Sequence, residues 1–179
     1  VTLGADRLLT VGVDRQDERV ASSVAYGATA RANTGVFGQY QTSVAGHDLQ
    51  ASLRRDDNEQ FGGHTTGALA WGHDLGDGLR LSASYGTAFK APTFNDLYWP
   101  WAGNPDLRPE RSRSLEVGLA GRFATGQWSV HAYATRIDDL IDWACTANCG
   151  GDWLDDVWQP SNINSARIRG LEAVASTRW

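Results

Sequence analysis

One segment of the sequence, residues 91–111, concentrates aromatic rings beside polar groups. Such a combination suits the capture of a large, partly apolar ligand, because rings supply contact area and amide or carboxylate groups fix orientation. Four residues of this segment are predicted to contact a ligand: Tyr98, Trp99, Trp101 and Asn104. Asp96 could share the orienting role. The competing interpretation is that the segment packs on itself around turns at its prolines.

A second segment, residues 142–161, is also rich in tryptophan and adds Trp143 and Trp153 as predicted ligand contacts. It holds both cysteines of the chain, Cys145 and Cys149, with no histidine near them in the sequence. The four ligands of a structural zinc ion are therefore absent locally. We predict a disulfide that staples the loop, which implies an oxidising compartment; two reduced surface thiols are the alternative.

The carboxylates of this second segment, Asp152, Asp155 and Asp156, are candidate calcium ligands. They lack the alternate spacing and turn glycine of an EF-hand-like loop, so we predict a solvated acidic surface, no metal and no cofactor. The sequence has no G-x-S-x-G, no H-E-x-x-H and no phosphate-cradling glycine loop, and its four histidines are dispersed. We therefore predict that the chain is not an enzyme; a barrel hydrolase assembled from distant strands is the alternative.

Composition excludes other classes of protein. The formal net charge is −5 and the Lys and Arg residues are scattered, so the chain has no basic face and nucleic acid is not an expected partner. No stretch approaches the roughly 20 consecutive apolar residues of a transmembrane helix. The 20 Gly, 8 Trp, 5 Tyr and 5 Phe residues favour turn-rich β structure over a helical bundle.

Apolar and polar residues alternate along most of the chain, which indicates strands with two different faces. In residues 79–90, for example, Leu81 and Tyr85 share one face, whereas Arg80 and Ser82 share the other. We predict about eight strands, centred on residues 9–13, 35–44, 49–54, 68–72, 79–90, 114–123, 128–135 and 166–177. For the second and the last of these strands the pattern does not decide which face is apolar.

The connections between the strands alternate in length. Short links are predicted at residues 44–47, 73–78 and 124–127, and long polar loops at residues 16–33, 56–64, 91–111 and 142–161. Outer-membrane barrels have short periplasmic turns and long external loops, whereas a soluble sandwich has no reason to place every long connection at one end. Trp71, Phe123 and Trp128 lie beside the short links, where rings mark a lipid–water boundary; core packing is the alternative. The fold class predicted is all-β, an antiparallel transmembrane β-barrel segment.

Eight strands could close into a small barrel, whose lumen would be filled by its own side chains. The polar faces here instead carry many small residues: Ala68, Ala70, Gly72, Gly86, Ala88, Gly118 and Ala120. Small residues leave room for a separate plug and favour a wider barrel. The charged residues of the same faces could still fill a narrow lumen, so a closed eight-stranded structural or adhesin barrel is kept as an alternative.

Three blocks of the sequence carry a resemblance to a known family. They are SASYGTAFKAPTFNDLYWPWAGNPDLRPERSRSLEVGL at residues 82–119, TRIDDLID at residues 135–142 and NINSARIRGLEA at residues 162–173. In this order and spacing they resemble the later barrel strands of TonB-dependent outer-membrane receptors, most closely the vitamin B12 (cobalamin) branch. Siderophore receptors share many of the same sequence motifs, so the siderophore branch of the family is the alternative. NPDLRPE recurs in receptors for different substrates and is expected to organise the strand entry after the loop.

The resemblance implies that residues 1–179 belong to one barrel domain and form about eight strands of a roughly 22-stranded barrel. The plug domain, the segment that engages TonB and the remaining strands would lie outside this chain. The intact protein would sit in the bacterial outer membrane, contact its lipid, bind cobalamin or a ferric siderophore, and use TonB to rearrange the plug. The loops that hold calcium in some cobalamin receptors would also lie upstream, so no metal ligand is carried over.

Overall fold

The structure, a computed structural model, describes residues 2–4, 6–150 and 154–178. Strands and one short helix follow one another along this part of the chain. Their bounds are β1 (Thr2–Gly4), β2 (Arg7–Arg19), β3 (Ala30–Val44), β4 (His47–Asn58), β5 (Gly62–Gly76), β6 (Leu79–Lys90), α1 (Phe94–Tyr98), β7 (Glu110–Phe123), β8 (Gly126–Asp138), β9 (Ile141–Ala147), β10 (Val157–Asn162) and β11 (Ser165–Thr177). No helix within the described ranges is long and apolar enough to cross a membrane.

Strands β1 to β8 and β11 form one antiparallel sheet, in the order of the chain, with β11 beside β8. Strands β9 and β10 pair with each other as a separate ribbon. Across the residues that the structure describes the sheet is open, with β1 at one edge and β11 at the other. The prediction of about eight antiparallel strands is confirmed, and the alternative of a closed eight-stranded barrel is wrong. The short β1 and the ribbon are additions that the sequence pattern does not signal.

The apolar face of the sheet is exposed rather than buried. Val13, Leu53, Leu69 and Leu171 each have between 62% and 74% of their area accessible. A continuous apolar surface of this kind is costly in water, whereas it is the surface that a barrel wall presents to hydrocarbon. The buried hydrophobic residues of the described chain lie in the connection from β6 to β7: Phe94, Leu97 and Leu107. The packed core of the described chain therefore lies in a loop, and the apolar face of the sheet is left uncovered, as in the wall of a barrel.

Strand pairing shows which face is apolar in β3 and β11, the two strands for which the sequence pattern does not decide it. Directly opposed residues of an antiparallel pair share a face. Tyr40 of β3 lies opposite Leu9, and Leu171 of β11 lies opposite Ala132, so both side chains belong to the apolar face. We call this apolar face the outer face and the opposite, polar face the inner face.

Two-residue turns join the strands at one end of the sheet. In the turns Ala45–Gly46 and Asp77–Gly78 every residue has a positive φ, between 51° and 78°, as a type I′ turn requires. A third turn links Phe123 to Gly126. We call this the turn end; the opposite edge is the loop end, where the chain leaves the sheet for residues 20–29, 59–61, 91–109 and 139–164. The first of these loops is shorter than the predicted 16–33 because β2 and β3 extend into it.

The hairpin between β4 and β5 differs from the prediction of a long loop at residues 56–64. β4 continues to Asn58 and β5 begins at Gly62, and these two residues are paired. Both faces of the hairpin are polar here, so apolar and polar residues no longer alternate, although the backbone pairing of β4 with β5 continues. The Oδ1 atom of Asn58 accepts the backbone N–H groups of Gln60 and Phe61, each at 3.1 Å, and closes a tight turn. The strict alternation of short and long connections is therefore wrong at this hairpin.

Aromatic rings line the outer face at the turn end. Trp71 donates its Nε1–H to Nδ1 of His47 at 3.1 Å, and the two rings stack with centroids 5.9 Å apart. The ring of Trp128 covers Gly121, where a Cβ atom would come within 2.5 Å of the indole. Phe123 is 49% exposed beside the last turn. Phe123 is exposed and Trp71 and Trp128 are half-buried, so none of the three rings is a core residue, and their place on the outer face favours a lipid–water boundary.

Charges on the inner face pair with one another across strands. Arg54 bridges Asp14 of β2 and Asp56 of its own strand, with N–O distances of 2.6 and 2.8 Å. Arg80 pairs with Asp48 at 2.5 Å. Mutual pairing is therefore the arrangement that the structure shows for these charges.

Candidate functional site

The helix α1 opens the connection from β6 to β7 and is fixed at its first turn. Thr93 is the N-cap: its Oγ1 accepts the backbone N–H of Asp96 at 3.2 Å, and Oδ2 of Asp96 accepts the backbone N–H of Thr93 at 2.9 Å. This reciprocal capping box satisfies donors that a helix otherwise leaves unpaired. The Oδ2 atom of Asp96 is thus engaged at the start of the helix.

Three connections meet around α1. Tyr26, from the β2–β3 connection, donates its hydroxyl to Oδ1 of Asn95 at 2.7 Å, and its ring lies edge-on to Trp99 with centroids 6.4 Å apart. Gln60, from the β4–β5 turn, donates Nε2–H to the Tyr98 hydroxyl at 2.7 Å. Tyr98 and Trp99 are therefore held in one cluster. Tyr26 and Gln60 lie far away in the sequence, within polar stretches that give no signal of this contact.

A buried arginine supports the cluster from the strand side. Arg31 is only 9% exposed; its Nε–H donates to Glu18 at 2.6 Å and its Nη1–H donates to the carbonyl oxygen of Pro92 at 2.6 Å. Its guanidinium also lies 4.9 Å from the centre of the Phe94 ring. The ion pair, the hydrogen bond and the cation–π contact together fix the β6–β7 connection on β3. Arg31 was not among the predicted residues, because one arginine in a polar stretch is not distinctive.

Trp101 is the most exposed of the predicted ligand contacts, with 96% of its area accessible. Its φ of 67° lies in the left-handed region, which costs a non-glycine residue about 1–2 kcal/mol. The turn is held by the Gly103 N–H, which donates to the Trp99 carbonyl at 2.7 Å, and a Cβ atom on Gly103 would lie 2.6 Å from the Trp99 nitrogen. The fold thus keeps a large ring in solvent at a conformational cost, which favours a contact role over loop packing.

The motif NPDLRPE, residues 104–110, fastens this connection to its neighbour. Asn104 donates Nδ2–H to the carbonyl oxygen of Pro160 at 2.9 Å, and its Oδ1 accepts a backbone N–H two residues on. Glu110, which is 8% exposed, accepts the backbone N–H of Ile141 at 2.9 Å. The prediction that the motif organises the entry into β7 is confirmed. Because both Nδ2 and Oδ1 of the Asn104 amide are engaged within the loops, this residue positions the connections.

The ribbon of β9 and β10 carries the second group of predicted residues. Cys145 and Cys149 are joined by a disulfide with Cα atoms 5.8 Å apart. Trp143 lies opposite Pro160 and Cys145 lies opposite Trp158, so the two tryptophans share a face of the ribbon. These rings are 52% and 50% exposed, respectively. Two residues of the sequence prediction lie outside the described residues: Asp152 and Trp153.

The loop end therefore presents two sets of exposed rings, one around α1 and one on the ribbon, connected through the motif. Within the described part of the chain, no group of three or more His, Cys, Asp or Glu side chains is placed to hold a metal ion. Rings on a fixed frame suit the binding of a large ligand with apolar faces.

Comparison with known proteins identifies the family. The family model described as TonB dependent receptor-like, beta-barrel matches residues 3–179. The chain belongs to this family. The open sheet with an exposed apolar face is accordingly a section of a TonB-dependent receptor barrel.

Two curated relatives of this receptor barrel are named vitamin B12 transporter BtuB. The protein from Photobacterium profundum is 40% identical over 152 residues, which cover 84% of this chain and 24% of the relative. The protein from Vibrio vulnificus is 41% identical over 171 residues, which cover 93% of this chain and 27% of the relative. The chain thus spans about a quarter of the length of these relatives.

Solved receptor structures share the fold at lower identity. The siderophore receptor PirA from Pseudomonas aeruginosa superposes with a TM-score of 0.80 and 21% identity, covering 93% of this chain and 35% of that chain. The copper transporter OprC superposes with a TM-score of 0.75 and 21% identity, covering 98% of this chain and 34% of that chain. At these identities the likeness establishes the architecture alone.

In this receptor barrel Asn162 links the β6–β7 connection to the connection that contains the ribbon. Its Nδ2 donates to the carbonyl oxygens of Arg108, at 2.8 Å, and Asp139, at 2.7 Å. Its Oδ1 accepts the backbone N–H of Arg108 at 2.8 Å. Arg108 also pairs with Asp139 through its side chain at 2.6 Å. One amide therefore joins the motif to the base of the ribbon connection.

Replacing Asn162 by alanine should loosen the ribbon while leaving the wall intact. We expect local opening of residues 139–164 to become easier by about 1–3 kcal/mol, because the bonds of one partly buried amide are lost. Amide hydrogen exchange of the full-length receptor measures this directly. Asn164→Ala is the matched control, because Asn164 contributes its backbone carbonyl to Asp139, which the substitution preserves. Equal protection in the Asn162→Ala variant and the control would contradict the fastening role.

Proposed function

We propose that this chain supplies wall strands and external loops to a bacterial outer-membrane transporter that takes up vitamin B12 with energy delivered through TonB. The observation that carries the proposal is the 40–41% identity to two vitamin B12 transporters over 84% and 93% of the chain. Siderophore and copper proteins of the same fold share only 21% identity with it. The relatives are named as receptors and transporters, so the proposed role is binding and passage, without a catalytic step.

The two faces of the sheet suit such a wall. Exposed leucine and valine side chains on the outer face are matched to the lipid of the outer membrane. On the inner face, small residues and paired charges would leave space beside a plug, whose movement TonB would drive. The loop end would face the medium, because barrels of this class have their long connections outside.

The exposed rings are the proposed nutrient contacts. A corrinoid is large, with apolar faces and a rim of amide groups, so it suits rings that supply area on a rigid frame. Tyr98, Trp99 and Trp101 on the α1 connection and Trp143 on the ribbon would contact it. Trp153, which lies outside the described residues, stays a predicted contact from the sequence. Asn104 would act on binding indirectly, by holding the two connections together.

A ferric-siderophore receptor is the second candidate. It is kept as a candidate because the solved structures that share this fold include PirA, which is named as a siderophore receptor and superposes with a TM-score of 0.80. Stacking rings would also accept the aromatic groups that many iron chelates carry, so the loop surface alone does not distinguish the two ligands.

Uptake by living cells tests the proposal. Cells that lack their own vitamin B12 transporter and express the full-length protein should accumulate radiolabelled cyanocobalamin. Accumulation should fall to the background level when TonB is deleted or a protonophore is added. Accumulation that persists without TonB would overturn the energised mechanism, and accumulation of a ferric siderophore in place of cyanocobalamin would favour the second candidate.

A further inference from the structure

Arginines form a row across the outer face of β7, β8 and β11. Arg113 lies directly opposite Arg136, and Arg136 lies directly opposite Arg167, so the three occupy neighbouring positions on adjacent strands. Arg169 lies two residues further along β11 on the same face. We call these four residues the arginine row.

The arginine row lies at the loop end of the apolar band. Leu115 and Ala134 oppose each other and lie next to the row on the side of the turn end. Leu171 follows them and is 74% exposed. A shallow depression of about 300 Å³ is lined by all four arginines together with Tyr85, Leu115 and Ala134. Cationic groups and an apolar floor therefore share one site on the outer surface.

The arginine row is only partly neutralised by its surroundings, since one carboxylate of the described chain faces four guanidinium groups. Asp138 pairs with Arg113 at 3.3 Å and with Arg136 at 2.7 Å, and their side chains stay 55% and 40% exposed. Arg167 and Arg169 are exposed and have no acidic partner within the described residues. Like charges that oppose each other across strands are destabilising. An anion that covers the row would remove this repulsion.

We propose that the arginine row binds the phosphate groups of a phosphorylated lipid headgroup in the outer leaflet of the membrane. Guanidinium groups donate paired hydrogen bonds that match phosphate oxygens, and a row of them can hold a headgroup with more than one phosphate. The apolar floor of the depression continues into the apolar band, where the acyl chains of the same molecule would lie. This continuity favours a lipid over a soluble anion. The inference rests on the outward direction of the loops in the proposed function, and it does not depend on the nutrient.

Native mass spectrometry of the full-length receptor can measure this binding. The probes are bisphosphorylated lipid A and the same lipid after removal of both phosphates. The unmodified receptor should prefer the phosphorylated lipid. In Arg167→Gln/Arg169→Gln this affinity should fall by about 25-fold, since each arginine near an anionic lipid surface contributes roughly a fivefold factor. The affinity should also fall with rising salt concentration.

The matched control removes two arginines from the turn end, as Arg122→Gln/Arg178→Gln, and should keep the full preference. Arg167→Lys/Arg169→Lys keeps both charges but not the paired hydrogen bonds, so it should lose less affinity than Arg167→Gln/Arg169→Gln, which separates charge loss from misfolding. Equal binding of the dephosphorylated lipid, or unchanged affinity in Arg167→Gln/Arg169→Gln, would overturn the proposal. Displacement of the lipid by millimolar pyrophosphate would also overturn it and indicate a site for soluble anions. Cyanocobalamin affinity should be the same in all variants, so a receptor that binds lipid but not cobalamin would refute only the nutrient assignment.

Discussion

Replacing Val117 by arginine should lower the free energy of unfolding of the full-length receptor by about 2–4 kcal/mol, the cost of a cation on a lipid-facing strand near the bilayer midplane. Val117 is 44% exposed, and lies on the outer face between Ala83 and Ala132. In a soluble protein an exposed valine would tolerate the change at little cost, so the size of the effect depends on the solvent that the outer face meets. Denaturant unfolding in lipid bilayers measures it.

The matched control for Val117→Arg is Ser84→Arg, which places the same side chain on the inner face. Ser84 is exposed and lies directly opposite Glu116, so the new cation gains a carboxylate partner. We expect the control to unfold within about 0.5 kcal/mol of the unmodified protein, as exposed substitutions commonly do. A similar loss in the two variants would contradict the assignment of the outer face to lipid.

Replacing Trp101 by alanine should weaken cyanocobalamin binding by about 30-fold, the loss expected when a central tryptophan is truncated at a binding surface. The ring is 96% exposed and sits on a residue with a φ of 67°, so the unbound fold gains little from it. The stability of the unbound receptor should therefore stay unchanged. This combination separates a contact residue from a packing residue.

Trp101→Phe is the companion variant, because it keeps an apolar ring in the same position and should recover most of the affinity. Isothermal titration of the purified full-length receptor gives the affinities, and its thermal unfolding gives the stability. Unchanged affinity in Trp101→Ala would remove this residue from the proposed site. A loss of stability without a loss of affinity would indicate that the ring packs within the loop.

The strands were predictable wherever one face meets an apolar medium and the other is polar. Residues 79–90 illustrate this, since the predicted faces and the observed strand bounds agree. The prediction of the strand ends failed at Asn58 and Gly62. Both faces are polar there, so the sequence shows no alternation although the backbone hydrogen bonds between β4 and β5 continue. The ribbon of β9 and β10 was hidden for a related reason: it stands apart from the sheet, so lipid imposes no alternation on it.

The aromatic residues of the candidate site were predictable from the sequence, whereas the residues that hold them in place were not. Tyr98, Trp99, Trp101 and Trp143 stand out because exposed aromatic clusters are unusual in polar loops. The residues that hold them, such as Tyr26, Gln60 and Arg31, act through contacts with distant segments and are ordinary in their own neighbourhood. Asn104 was placed correctly in the loop region, but its amide faces Pro160, a contact that sequence spacing could not reveal.

Equilibrium binding of cyanocobalamin to the purified full-length receptor tests the central claim most directly, with a panel of ferric siderophores measured alongside. We expect saturable binding of one cyanocobalamin per receptor and no saturable binding of the siderophores. Saturable binding of a siderophore with none of cyanocobalamin would contradict it.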